Sequence, residues 1–99
     1  MVEIVWTVRS YEHLHEIGEY IAKDSPFQAK RVIQSIIKAI KRIESNIRIG
    51  HIIPEIQNDS YRELRVFSYR ILYKIITENK IAIIGIVHSK RLLDTDTFQ

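Results

Sequence analysis

Seven residues in the second half of the chain have types and spacing that could do chemistry. His88, Lys90 and Arg91 crowd into four positions where an apolar strand ends. Arg62, Arg65 and Arg70 precede them on two shorter strand-like stretches, and Glu55 follows Pro54 in a loop. Cleaving RNA through its 2′-hydroxyl needs a group that takes that proton, cationic donors for the crowded phosphate, and an acid for the leaving 5′-oxygen. A carboxylate or imidazole suits the first task, arginine the second, and histidine, tyrosine or lysine the third. Each of these residues also has an ordinary structural reading. Arg62 and Glu63 suit surface ion pairs worth roughly 0–1 kcal/mol. Arg70 can pair with Glu55 or Glu63 across a sheet. His88 shares strand parity with Ile84 and Ile86 and suits a half-buried position. The functional reading rests on several cations converging at one end of the strands, where they would meet an anionic partner.

The elements that must position these groups follow from periodicity. VEIVWTV, residues 2–8, alternates like a strand, and Ser10 is the expected N-cap of the helix after it. Leu14, Ile17, Gly18, Ile21 and Ala22 keep helical spacing as far as the DSP break. Pro26 suits the first position of a second helix, and Ser25 with Gln28 makes a capping-box pattern. That helix carries Ala29, Val32, Ile33, Ile36, Ile37, Ile40 and Ile43 on one stripe and Lys30, Arg31, Lys38, Lys41 and Arg42 on its other side. Gly50, Pro54, Asn58 and Asp59 mark a loop over residues 46–60. YRELRVF, YRILYKII and KIAIIGIV then read as three strands, and the short FS and TENK connections between them allow only antiparallel hairpins. The third is nearly all apolar, as a central strand would be. The expected fold is α+β, in the order β-α-α-β-β-β, with a helical hairpin on one face of a mainly antiparallel four-stranded sheet. The other face is left open for a partner helix, or an edge for a partner strand.

Composition narrows the function classes. Ninety-nine residues, 45% hydrophobic and 27% charged, fit one soluble domain over residues 1–99. No apolar run approaches the ~20 residues of a membrane span. The absence of cysteine excludes a disulfide framework and makes a cytoplasmic location the default. His13 and His15 face different sides of a helix, so no metal is expected; nor is a cofactor, since Gly18, Gly50 and Gly85 stand alone. The net charge of +3 favours acidic partners mildly.

Trp6, "HLHEIGEYIAKDSPFQAKRVIQSI", "GHIIPEI", "YRELRVFSYRILYKI" and "IVHSKRLL", in this order, resemble the RelE/ParE superfamily of toxins from bacterial type II toxin–antitoxin modules. The "YIAKDSP" helix break and the later "PE...REL...YRI.Y...H..R" series are most similar to the ParE, or plasmid-stabilisation, branch. The resemblance implies a toxin neutralised by an antitoxin encoded beside it, with any larger assembly formed through that antitoxin. It also implies one of two targets: DNA gyrase for ParE-like members, or messenger RNA on the ribosome, cut without a metal, for RelE-like members. In RNA-cutting relatives a glutamate after the loop proline, a strand arginine and a terminal histidine are catalytic, and Glu55, Arg70 and His88 occupy similar places. Arg62, Arg65, Lys90 and Arg91 would then bind nucleic acid or another target. The chain departs from that pattern in two ways. Ser89 stands where such relatives place an aromatic residue, the next being Phe98, and the loop HIIPEIQNDS lacks their lysine pairs. A non-toxic member kept for binding or autoregulation is the third possibility.

Overall fold

The computed structural model describes residues 1–93. Seven elements follow one another: β1 (Glu3–Trp6), α1 (Val8–Ala22), α2 (Pro26–Ser45), β2 (His51–Ile52), β3 (Tyr61–Val66), β4 (Tyr69–Thr77) and β5 (Lys80–His88). The sheet has five strands in the order β1-β5-β4-β3-β2, not the four expected. β1 runs parallel to β5, and the remaining pairs are antiparallel. The fifth strand is β2, a two-residue pairing of His51 and Ile52 with Glu63 and Arg62. So short a ladder has no periodicity to betray it.

The helices form where their stripes and caps place them. In α2, Ser25 Oγ accepts the Gln28 N–H at 3.1 Å, Pro26 opens the helix, and Ala29, Ile36, Ala39, Ile40 and Ile43 are buried. Each of those isoleucines contributes about 1.5–3 kcal/mol of burial. α1 begins earlier than expected, because Thr7 caps it instead of Ser10. Thr7 Oγ1 accepts the Ser10 N–H at 3.1 Å and itself donates to the Ile83 carbonyl at 3.0 Å, tying the helix start to β5. Val8 therefore leaves the strand alternation and is an exposed first-turn residue.

Both helices lie on one face of the sheet, over a core of Ile36, Ile40, Ile43, Ile71, Tyr73, Ile81, Ile83 and Ile86. The opposite face is not open. Ile53 and Ile56 from the loop, together with Leu93, cover Leu72, Ile84 and Val87 there. Position 85 opposes Leu72 and position 83 opposes Tyr73, so Ile84 is an extra residue, a bulge, in β5. The bulge switches parity. Ile83 and Ile86 face the helices, whereas Ile84 faces away, so of the two residues expected to share its face His88 keeps Ile86 and loses Ile84. No helix among the described residues is long and apolar enough to cross a membrane.

Candidate functional site

At the end of the sheet where β3 turns into β4, Arg70 lies at 3% exposure among carboxylates. Its partner on β3 is Arg65, two residues from Glu63, so the two share a face and the pleat brings Glu63 diagonally beneath the guanidinium. Nε donates to Glu63 Oε2 at 2.7 Å and Nη2 to Glu63 Oε1 at 3.2 Å. Pro54 and the loop after β2 deliver Glu55, whose two oxygens accept from Nη1 at 2.9 Å and Nη2 at 2.8 Å. The fifth donor goes from Nη1 to the Arg91 carbonyl at 3.0 Å. All five guanidinium N–H groups are thereby used.

Glu55 is held as firmly. Arg70, and the Leu93 N–H at 3.0 Å from Oε2, keep its carboxyl at about 2, far below the usual glutamate range. The same contacts raise the Arg70 pKa further above its ordinary value, with Glu55 the chief cause. A carboxylate of that acidity is a poor proton acceptor near neutrality, and a guanidinium with no spare donor has nothing to offer a phosphate. The two bonds to residues 91 and 93 also pin the segment after β5 onto the sheet, which sets where Lys90 and Arg91 emerge. Both are exposed, as is Arg65, whose Nε lies 3.6 Å from Glu63. With Pro54, Glu55, Arg70 and Ser89 these three line a concavity of about 350 Å³.

The structure thus brings Glu55, Arg70, Arg65, Lys90 and Arg91 together on the sheet face away from the helices. His88 and Arg62 lie elsewhere. His88 pairs with Tyr69 on the helix-side face, whereas Arg70 pairs with Val87 on the other. It is exposed; Nδ1 accepts the Lys90 N–H at 3.2 Å, and its ring meets Tyr69 edge-on with centroids 6.0 Å apart. No aromatic follows His88 directly in the chain, but the Tyr69 ring faces it across the sheet; Phe98 lies outside the described residues. Arg62 is at the far end of β3, tying two loops together. It donates to the Asp59 carbonyl and carboxylate at 3.0 and 2.6 Å and to the Gly50 carbonyl at 3.0 Å.

The other histidines have structural partners or surface positions. His13 Nδ1 accepts the Ile86 N–H at 3.1 Å, capping the β5 edge where β1 has ended, and burial lowers its pKa. His15 pairs with Glu19 at 2.7 Å on exposed helix surface. No group of three metal-ligating side chains occurs among the described residues.

Comparison with known proteins places this geometry in context. A family described as the ParE toxin of the type II toxin–antitoxin system parDE matches residues 4–93. Curated protein sequences return no match. Among solved structures, the chromosomal ParDE toxin–antitoxin system of P. aeruginosa is similar with TM-score 0.73 and 19% identity, over 91% of this chain and 98% of that one. The RelBE2 complex of Mycobacterium tuberculosis gives TM-score 0.55 and 20% identity, over 88% and 96% of the two chains. The YoeB–YefM heterotetramer of Staphylococcus aureus gives 0.56 and 17%, over 89% and 97%. At such identities the structural likeness establishes the fold, and the family match extends over nearly all the described residues. The chain belongs to the ParE toxin family of type II toxin–antitoxin systems.

Proposed function

We propose that this toxin arrests growth in the cytoplasm by ParE-like inhibition of DNA gyrase, through protein contact and without chemistry of its own. The observation that carries the reading is the full occupancy of Arg70, with Glu55 held at about 2. A ribonuclease would need both groups free to act on the phosphate and the 2′-hydroxyl. The exposed cations Arg65, Lys90 and Arg91 then serve as the target-contacting rim. A cognate antitoxin neutralises the toxin, a partner supported by structural neighbours that are themselves toxin–antitoxin systems. The apolar groove between α1 and α2, about 400 Å³ and lined by Tyr11, Leu14, Gly18, Ala22 and Ile33, suits an amphipathic antitoxin helix.

A supercoiling assay with purified gyrase tests this. The wild-type chain should block supercoiling, Lys90→Glu/Arg91→Glu should lose most of the block, and His88→Gln should keep it. A full block by the charge-reversed variant would count against the rim. The second reading, a ribosome-dependent mRNA endoribonuclease, draws support from the Tyr69–His88 pair. Nε2 of His88 has no hydrogen-bond partner among the described residues, so that edge of the exposed ring is open to a substrate. Under that reading translating ribosomes yield cut messages, and His88→Gln abolishes the cuts.

A further inference from the structure

Phe67 is in the left-handed region, with φ 53°, in the two-residue loop between Val66 and Tyr69. Glycine, asparagine or aspartate adopt that conformation at little cost, whereas a bulky side chain does so under steric strain. Core packing does not offset the strain, since Phe67 is 59% exposed. A strained, exposed aromatic is a poor solution for folding alone, and its surroundings offer it another use. The ring borders an open groove of about 320 Å³ with Lys38, Ala39, Arg42 and Arg65. Lys38 and Arg42 are one helical turn apart on the same side of α2, exposed, and in no ion pair among the described residues. Arg65 also lines the rim with Lys90 and Arg91, so the line of cations continues from the rim around the turn and onto α2.

We propose that Lys38, Arg42 and Arg65, with Phe67 as a stacking platform, bind single-stranded nucleic acid. Phosphates lie against the three cations and a base lies on the ring, a combination that tolerates any sequence because every base has a flat face. An acidic polypeptide would satisfy the cations equally, but it gives no reason to hold a phenyl ring exposed in an unfavourable backbone conformation. The site shares only Arg65 with the rim and needs neither Glu55 nor His88, so it stands whether the toxin's target is gyrase or the ribosome.

The test is fluorescence anisotropy of the full chain with labelled oligothymidylate of about twelve nucleotides. Three neutralised phosphates give a log–log salt slope of about −2, so raising salt from about 50 to about 200 mM should weaken binding roughly fifteenfold. Phe67→Gly relieves the turn and should raise the melting temperature while weakening the oligonucleotide at least about fivefold. Lys38→Gln/Arg42→Gln should flatten the slope by about 1.4. No binding at the lower salt, or wild-type affinity in Phe67→Gly, overturns the proposal. So does displacement by polyglutamate of equal charge as readily as by unlabelled oligothymidylate, which would mark the groove as a seat for acidic polypeptide.

Discussion

Arg70→Met removes a guanidinium whose five N–H groups all have acceptors and leaves Glu55 and Glu63 with no cation between them. Glu63 is 4% exposed, so water does not replace the lost partner. Breaking a buried pair from one side costs about 3–5 kcal/mol, a large share of the ~5–15 kcal/mol that holds a domain folded. The Glu55 share can be worked from its titration. Its carboxyl falls from 4.5 to about 2, and at ~1.4 kcal/mol per unit that depression corresponds to roughly 3–4 kcal/mol, most of it from Arg70 and the rest from backbone N–H groups including that of Leu93. Because the folded value is the lower one, the contribution is complete above pH ~4.5 and is lost as pH falls towards 2. Urea unfolding followed by circular dichroism should therefore show Arg70→Met weaker than wild type by about 3–5 kcal/mol at pH 7, with the gap narrowing in acid. Adding Glu55→Gln and Glu63→Leu should recover most of the loss, since no unpaired charge then remains buried. A cost below about 1 kcal/mol at pH 7, the worth of a surface ion pair, or a gap indifferent to pH, would mean that Arg70 is not a buried structural cation. Loss of toxicity in Arg70→Ala is accordingly ambiguous between catalysis and folding, whereas His88→Gln, at an exposed position, is a clean probe.

Three further perturbations test the frame that holds the rim. Tyr73 is fully buried, donates to the Ile47 carbonyl at 2.8 Å and accepts the Gly50 N–H at 2.9 Å; Tyr73→Phe should cost about 1–3 kcal/mol in urea unfolding. A Cβ on Gly50 would stand 2.5 Å from the Glu63 carbonyl oxygen and 2.8 Å from the Tyr73 hydroxyl, so Gly50→Ala should lower the melting temperature and the urea midpoint, by about 1–3 kcal/mol or more. His13→Ala leaves the Ile86 N–H without its acceptor, at about 1–3 kcal/mol. Burial depresses the His13 pKa, so its contribution is present above about pH 6.5 and fades below it; titrating wild type against the variant over pH 5–7 should show the difference shrinking in acid.

The helices were legible because α2 repeats isoleucine every three or four residues behind Ser25 and Pro26, signals that are local in sequence. The Arg70–Glu63 and Arg70–Glu55 pairs were within reach too, since opposite charges on neighbouring strands and a loop have few other partners. What the sequence hid was non-local. The parallel pairing of β1 with β5 joins residues more than seventy positions apart, and nothing in VEIVWTV announces it. Thr7 and Ser10 are equally good caps by type; what decides between them is the Ile83 carbonyl that Thr7 reaches. IAIIGIV is apolar at every position, so its bulge at Ile84 left no break in the pattern, and strict alternation put Ile84 on the face of Ile86 and His88. The second irregularity, between Ile75 and Thr77, restores the register, so counting from the turn pairs Thr77 with Lys80 and Tyr69 with His88, and the separation of His88 from Arg70 was within reach. The hold of Arg70 and Glu55 on residues 91 and 93 runs through backbone atoms, which residue types do not reveal.

Pulse labelling of DNA and protein synthesis, in parallel, after induced expression in bacteria separates gyrase inhibition from message cleavage most directly. Gyrase inhibition should give an early fall in DNA synthesis with induction of the damage response, unchanged by His88→Gln and lifted by Lys90→Glu/Arg91→Glu. An early fall in protein synthesis with cleaved messages, abolished by His88→Gln, would contradict it.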